Sequence, residues 1–412
     1  MTSPDRRTAL GVVVVGAAVF VALAAFLVPW NPVPGGDLRP LDAGSVFTAE
    51  QISRAEDYSG WARTWSYSSL LVSLAVVLWL AFSQRGRSWF ERLPGPWWIQ
   101  VVVAVTLVEV LRRLITLPFA VLLRREQLEV GLSTQAWSGF VVDLVKGELV
   151  SIVATSLGLL ALMACARRWR RAWPAVAGGL LGLLVLAGSF VYPLLVEPLF
   201  NDFQELPDGP LRAQIMQLAD EEGVQVADVL VADASRRTTT LNAYVSGFGG
   251  TRRVVVYDNL VDGLPQDQAL SVVAHELAHA RHQDVVVGTV LGVAGTLLGV
   301  GLLSLTLAGL RRRGHPGLSE PAVVPLVLAL LALATLVSAP VQNTISRQVE
   351  TRADVDALRT TGDAEAFIGM QQQLMLRSLA DPTPWAPTQL WFGSHPIGLM
   401  RMALAERIAG ER

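Results

Sequence analysis

Seven stretches of this chain are apolar for long enough to be solvated by lipid, and nothing else in the sequence constrains its fold so strongly. A hydrocarbon core of about 30 Å requires roughly 20 apolar residues of helix. Only helices and closed barrels satisfy their backbone polar groups in such a core. The runs lie at Leu10 to Val28, Ser69 to Phe82, Trp97 to Leu117, Leu149 to Cys165, Ala175 to Val196, Val285 to Leu310 and Pro321 to Ala339. Only 17% of the 412 residues are charged and 52% are apolar, a balance that excludes an ordinary soluble chain of this length. The expectation is a polytopic α-helical membrane protein with seven transmembrane helices and the lipid bilayer as a partner. A net charge of −2, without any long basic run, argues against nucleic acid.

Local signals refine the spans. Thr48-Ala49-Glu50-Gln51 has the form of a capping box, so an amphipathic helix is expected to start there and lead into the short second run. The first run follows Arg6-Arg7 and contains Ala22-Leu23-Ala24, so a cleaved signal and a permanent anchor both fit; its length beyond that site favours the anchor. Cys165 is the only cysteine, which excludes a disulfide within the chain. Lys146 is the only lysine among many arginines, as in a GC-rich bacterial genome. With seven spans, Arg85, Arg87, Arg92, Arg167, Arg168, Arg170, Arg171 and Arg311 to Arg313 share one face with Arg6 and Arg7. The positive-inside rule makes that face cytoplasmic and sets the segments after spans five and seven on the outer side.

Between spans five and six the pattern changes to that of a small mixed domain. Pro210 to Glu222 reads as a helix stopped by Gly223, and Val226 to Ala232, Leu241 to Ser246 and Arg252 to Tyr257 read as strands. Gly249-Gly250 gives the last two a tight hairpin connection. Pro265 then opens a helix that carries His275-Glu276-Leu277-Ala278-His279. Residues four apart share a helix face, so the two imidazoles are able to grip one metal ion beside the carboxylate of Glu276. His282 lies about 10 Å along the axis from His275 and reads as a surface or supporting residue. No glycine and third histidine follow at metzincin spacing, so a further ligand comes from elsewhere in the chain.

Glu350 and Asp354 fall four apart on a predicted helix from Arg347 to Asp354. Glu350 is the expected third zinc ligand, and Asp354 the expected partner of a ligating histidine; a solvated acidic face paired with Arg347 or Arg352 is the bland alternative. Glu276 then acts as general base toward water at a single Zn2+, with a peptide carbonyl as electrophile. His395 and Arg401, within Ser394-His395-Pro396-Ile397-Gly398-Leu399-Met400-Arg401, are the candidate donors to the developing oxyanion. The strand containing Asn242-Ala243-Tyr244 offers an edge to an extended peptide.

These four elements, in this order and with these intervening spans, resemble the type I CAAX prenyl protease family, which also includes bacterial heat-shock membrane proteases. The resemblance covers nearly the whole chain. It implies a zinc endopeptidase whose seven helices enclose a water-filled chamber, with Asn242, Ala243 and Tyr244 aligning the substrate and with His395 and Arg401 stabilising the tetrahedral intermediate. Residues 1–200 are then an N-terminal membrane domain with five transmembrane helices. Residues 201–412 form a small α+β zincin-like metallopeptidase domain, split around spans six (285–310) and seven (321–340). Eukaryotic members face the cytoplasm, whereas the arginine count here points outward; C-terminal peptides and misfolded membrane proteins both remain open as substrates in a bacterial cell membrane.

Two features inside the spans have readings of their own. Gly288, Gly292, Gly295 and Gly299 form a stripe that predicts close helix packing or a cavity wall. Glu109, Arg112 and Arg113 are charged within the third run, where a Glu109 to Arg113 pair and chamber lining are the alternatives. A transporter using those charges, or a non-catalytic zinc-binding receptor, is the rival function, and neither needs Glu276.

Overall fold

The computed structural model describes residues 3–247 and 249–411. Long helices dominate it, and one small sheet packs against the shorter helix Gln266–Arg281. Among the described residues, six helices are long and apolar enough to cross a membrane: Arg6–Leu27, Ala49–Phe82, Trp137–Arg168, Trp173–Leu199, Asp284–Arg311 and Pro321–Thr361. The second begins at the Thr48 capping box, where the Thr48 hydroxyl accepts from the Gln51 amide at 3.2 Å and Gln51 returns the bond at 2.9 Å. Its helix runs unbroken through Gly60 to Phe82. These helices turn apolar side chains outward, Phe26 to 88% exposure and Val14 and Val21 to 64%. That is the reverse of a water-soluble bundle and fits hydrocarbon as the solvent.

The expected third span is helical throughout Trp97–Glu129 but is not among the six, because Glu109, Arg112 and Arg113 interrupt its apolar stretch. Of the two readings of these charges, the Glu109 to Arg113 pair does not form. Arg112, one residue nearer, bonds Glu109, while Arg113 reaches across to Glu148 of Trp137–Arg168 at 2.7 Å. Each buried carboxylate thus has a cation beside it, as an apolar surrounding demands.

Close helix packing also falls elsewhere than the glycine stripe indicates. A Cβ on Gly288, Gly295 or Gly299 would meet nothing within 4 Å, and one on Gly292 would meet only Val185 at ordinary contact distance. The tight approach between Ser3–Leu27 and Asp284–Arg311 is made instead at Gly16, where a Cβ would stand 2.6 Å from the Leu298 amide nitrogen, and at Gly301 against Val13.

The sheet has the order β1-β2-β4-β3, from Phe203–Glu205 (β1), Asp228–Ala232 (β2), Ala243–Ser246 (β3) and Arg253–Tyr257 (β4). β2 and β4 run parallel; β1 and β3 flank them antiparallel, which leaves β3 at an edge. The helix Pro210–Glu221 ends at Gly223, whose φ of +68° suits a residue without a Cβ. On one face of the sheet, Val229, Val254 and Val256 pack with Ala269, Val273 and Leu277 of the motif helix, Gln266–Arg281. Spacing of four between Val273 and Leu277 commits that side of the helix to the core. His275 and His279 are thereby turned the other way.

The last span and the helix carrying Glu350 are one element, Val324–Thr361, with Pro340 inside it. Proline removes one backbone bond and bends a helix without necessarily ending it. Buried Glu222 joins the parts, accepting from Arg281 of the motif helix at 3.0 Å and from Thr360 of this long helix. The chain closes with Ala364–Ser378, Ala386–Phe392 and Gly398–Gly410.

Candidate metal centre

The motif helix and Val324–Thr361 bring His275, His279 and Glu350 together, so that one potential ligand atom from each lies within 4.8 Å of the others. His275 Nε2 is 3.2 Å from Glu350 Oε2 and 3.2 Å from His279 Nε2, and His279 Nε2 is 3.6 Å from Glu350 Oε1. The other nitrogen of each ring faces a carboxylate. His275 Nδ1 stands 2.9 Å from Asp354 Oδ1, and His279 Nδ1 stands 2.9 Å from Asp284 Oδ2. A carboxylate that accepts from the Nδ1–H of each ring leaves Nε2 as the atom that turns to a metal ion, and both Nε2 atoms converge on Glu350.

Two imidazole nitrogens and a carboxylate oxygen are the donor set of a catalytic zinc site. Charge agrees with that chemistry. Burial works against protonation of His279, yet Asp284 and Glu350 outweigh it and push its pKa up to about 10. For His275, too, Asp354 and Glu350 overcome the burial cost and raise the pKa. The surroundings therefore stabilise positive charge at the point where the rings meet. Burial pushes the Glu276 carboxyl above the usual carboxylate range, with His275 and His279 drawing it partly back.

The remaining expected residues divide. His395 Nε2 is 3.5 Å from Glu350 Oε2, its side chain is 59% exposed, and its Nδ1 lies 2.9 Å from Ser394 Oγ. It stands at the open side of the cluster. Arg401 does not: its Nε and Nη2 both donate to Asp354, at 2.8 and 2.5 Å, and its side chain is 11% exposed. Its geometry is that of a clamp on Asp354. The Asn242 carbonyl accepts from the Tyr257 amide at 3.0 Å, Ala243 is buried, and Tyr244 lies on edge strand β3. His282 lies outside the cluster and pairs with Asp356 at 2.6 Å.

Two contributors escape a reading of the sequence. Asp284 lies five residues beyond His279, past a left-handed Gln283 (φ 55°) that ends the helical register. Arg347 donates to the Gln389 carbonyl at 3.1 Å and the Gly393 carbonyl at 2.6 Å, tying down the loop that carries His395. The run from Arg347 to Asp354 is the one sign in the sequence, and taken alone it reads better as a solvated acidic face.

Comparison with known proteins points to one family. Residues 205–409 match the model of Peptidase family M48, and residues 37–202 match that of the CAAX prenyl protease N-terminal region, described as five membrane helices. A Legionella pneumophila protein named Protease HtpX is 30% identical over 46% of this chain and 71% of its own length. The chain belongs to peptidase family M48, the family of the CAAX prenyl proteases. It is a membrane metalloprotease. Metalloprotease YhfN of Bacillus subtilis is 27% identical over 89% of this M48 chain and 88% of the relative. The crystal structure of S. mikatae Ste24p has the same fold, with a TM-score of 0.78 over 97% of this chain and 99% of that one at 19% identity.

Proposed function

We propose that the chain is a zinc-dependent membrane endopeptidase in which His275, His279 and Glu350 hold one Zn2+ and Glu276 is the general base. The observation that carries this reading is the convergence of His275 Nε2, His279 Nε2 and the Glu350 carboxylate while both Nδ1 atoms are engaged by carboxylates. A zinc ion bound there supplies Lewis acidity, which polarises a peptide carbonyl and makes water a nucleophile near neutral pH. Glu276 takes a proton from the attacking water as its oxygen adds to the carbonyl carbon. It then passes that proton to the amide nitrogen as the C–N bond breaks. A raised Glu276 pKa suits both halves of this exchange. His395, exposed beside Glu350, donates to the oxygen on which negative charge develops. The edge of β3 at Asn242, Ala243 and Tyr244 receives the substrate as an added strand.

The substrate is a peptide or protein presented at the bilayer, and a prenylated C-terminal peptide and a misfolded membrane protein both suit a site on this scaffold. Residues 1–200 form the membrane domain and 201–412 the peptidase domain, split by its own two spans. Trp97–Glu129 serves as a seventh span: it is 33 residues long, and its charges are matched by Glu109–Arg112 and Arg113–Glu148 pairs. With seven spans the arginine count places the sheet domain on the outer face. The test is cleavage of a fluorogenic peptide by purified protein with a chelator, followed by added zinc. Loss and recovery of turnover is the expected result; cleavage indifferent to the chelator contradicts the proposal.

A further inference from the structure

Each imidazole of the cluster is backed by a carboxylate, and each carboxylate by an arginine, but the two sets are built from different parts of the chain. Behind His275 stand Asp354 and Arg401. Behind His279 stand Asp284, with its side chain 9% exposed, and Arg352, which bonds Asp284 Oδ1 while Oδ2 faces the ring. Asp284 is also the first residue of the membrane helix Asp284–Arg311, where unpaired amides and the helix dipole favour an anion. Gln283, held at φ 55°, turns the chain sharply between the motif helix and this span, and that turn aims Asp284 back at His279. The strain of a left-handed non-glycine residue is offset by what surrounds it, here the Asp284 contacts.

We infer that Asp284, supported by Arg352, is a positioning residue for the metal centre: it fixes the tautomer and ring orientation of His279 and makes the sixth membrane helix part of the metal site. The inference rests on the proposed zinc reading and adds to it a second supporting pair. Through Asp284 the start of a membrane span is joined to one ligand, and through Arg352 to the same helix that carries Glu350. A shift of Asp284–Arg311 relative to Val324–Thr361 would therefore move His279 against Glu350.

The experiment measures zinc affinity of the full-length protein in detergent by competition with a chromogenic chelator, in a Glu276→Gln background that removes self-cleavage. Asp284→Asn is expected to weaken zinc binding about 10- to 100-fold, the usual effect of removing a ligand's supporting partner. Asp284→Glu is expected to recover part of that loss, and Arg352→Gln to give a smaller loss in the same direction. Cobalt substitution adds a readout that a merely structural role leaves alone: the visible band of the bound metal shifts in Asp284→Asn because His279 turns. If the parent binds zinc and Asp284→Asn binds it equally well with an unshifted cobalt band, the inference is overturned while the metal site stands. A parent that binds no zinc overturns both. Should Asp284→Asn fail to fold, the Arg352→Gln and Asp284→Glu affinities decide in the same way.

Discussion

His275 and His279 occupy one helix face and meet the same carboxylate, yet the ways they are held differ in depth and in origin. Behind His275 everything is long-range and sealed: Asp354 is fully buried, and Arg401 comes from the C-terminal helix 126 residues away. Behind His279 the partner is five residues on, at a helix junction, and its arginine is more exposed than Arg401, 20% against 11%. One support is therefore part of the domain core, and the other belongs to the seam between domain and membrane. A sealed charge pair is costly to break because the survivor has no water to turn to; a pair at a seam relaxes more cheaply.

The comparison is sharpened first at Glu276, the carboxylate between the two histidines in the motif. Glu276→Gln is expected to lower kcat about 10²- to 10⁴-fold, the range for a general base, with zinc content unchanged; a turnover number like that of the parent removes Glu276 from the chemistry. Next, Asp354→Asn strands Arg401 in the core and is expected to destabilise the fold by about 3–5 kcal/mol in chemical unfolding. Destabilisation no greater than that of Asp284→Asn would erase the contrast between sealed and seam support. His395→Ala supplies the case of an imidazole with no carboxylate behind its Nδ1, only Ser394. It is expected to reduce kcat roughly 10²-fold with zinc affinity and KM near those of the parent, and a fall in zinc affinity instead would make His395 a ligand. Smallest is Arg352→Gln, expected to cost about 1 kcal/mol of stability because Arg352 is itself partly exposed and a glutamine amide is still able to donate to Asp284.

The same contrast explains what the sequence discloses. Asp354 is visible because it lies one helical turn from Glu350, and regular spacing translates directly into a shared face. Asp284 is hidden because Gln283 breaks the register, and a left-handed residue other than glycine leaves no compositional mark. Strands β2 to β4 follow from alternation and bounding glycines; β1, three residues long, is too short to carry a period. Continuity of the last span with the Glu350 helix is obscured by Pro340, which reads as a stop unless tertiary packing is known to hold the helix on either side. In the third run the charges are plain, but their partners are not. The nearer residue, Arg112, bonds Glu109, and Arg113 finds Glu148 on a neighbouring helix that no local pattern points to.

The central claim concerns three side chains and one ion. Elemental analysis of purified Glu276→Gln protein beside a Glu276→Gln, Glu350→Ala form tests it most directly. The account predicts about one zinc per chain in the first and almost none in the second, because two imidazoles alone hold zinc weakly. Equal zinc in both forms would contradict it and take Glu350 out of the metal site.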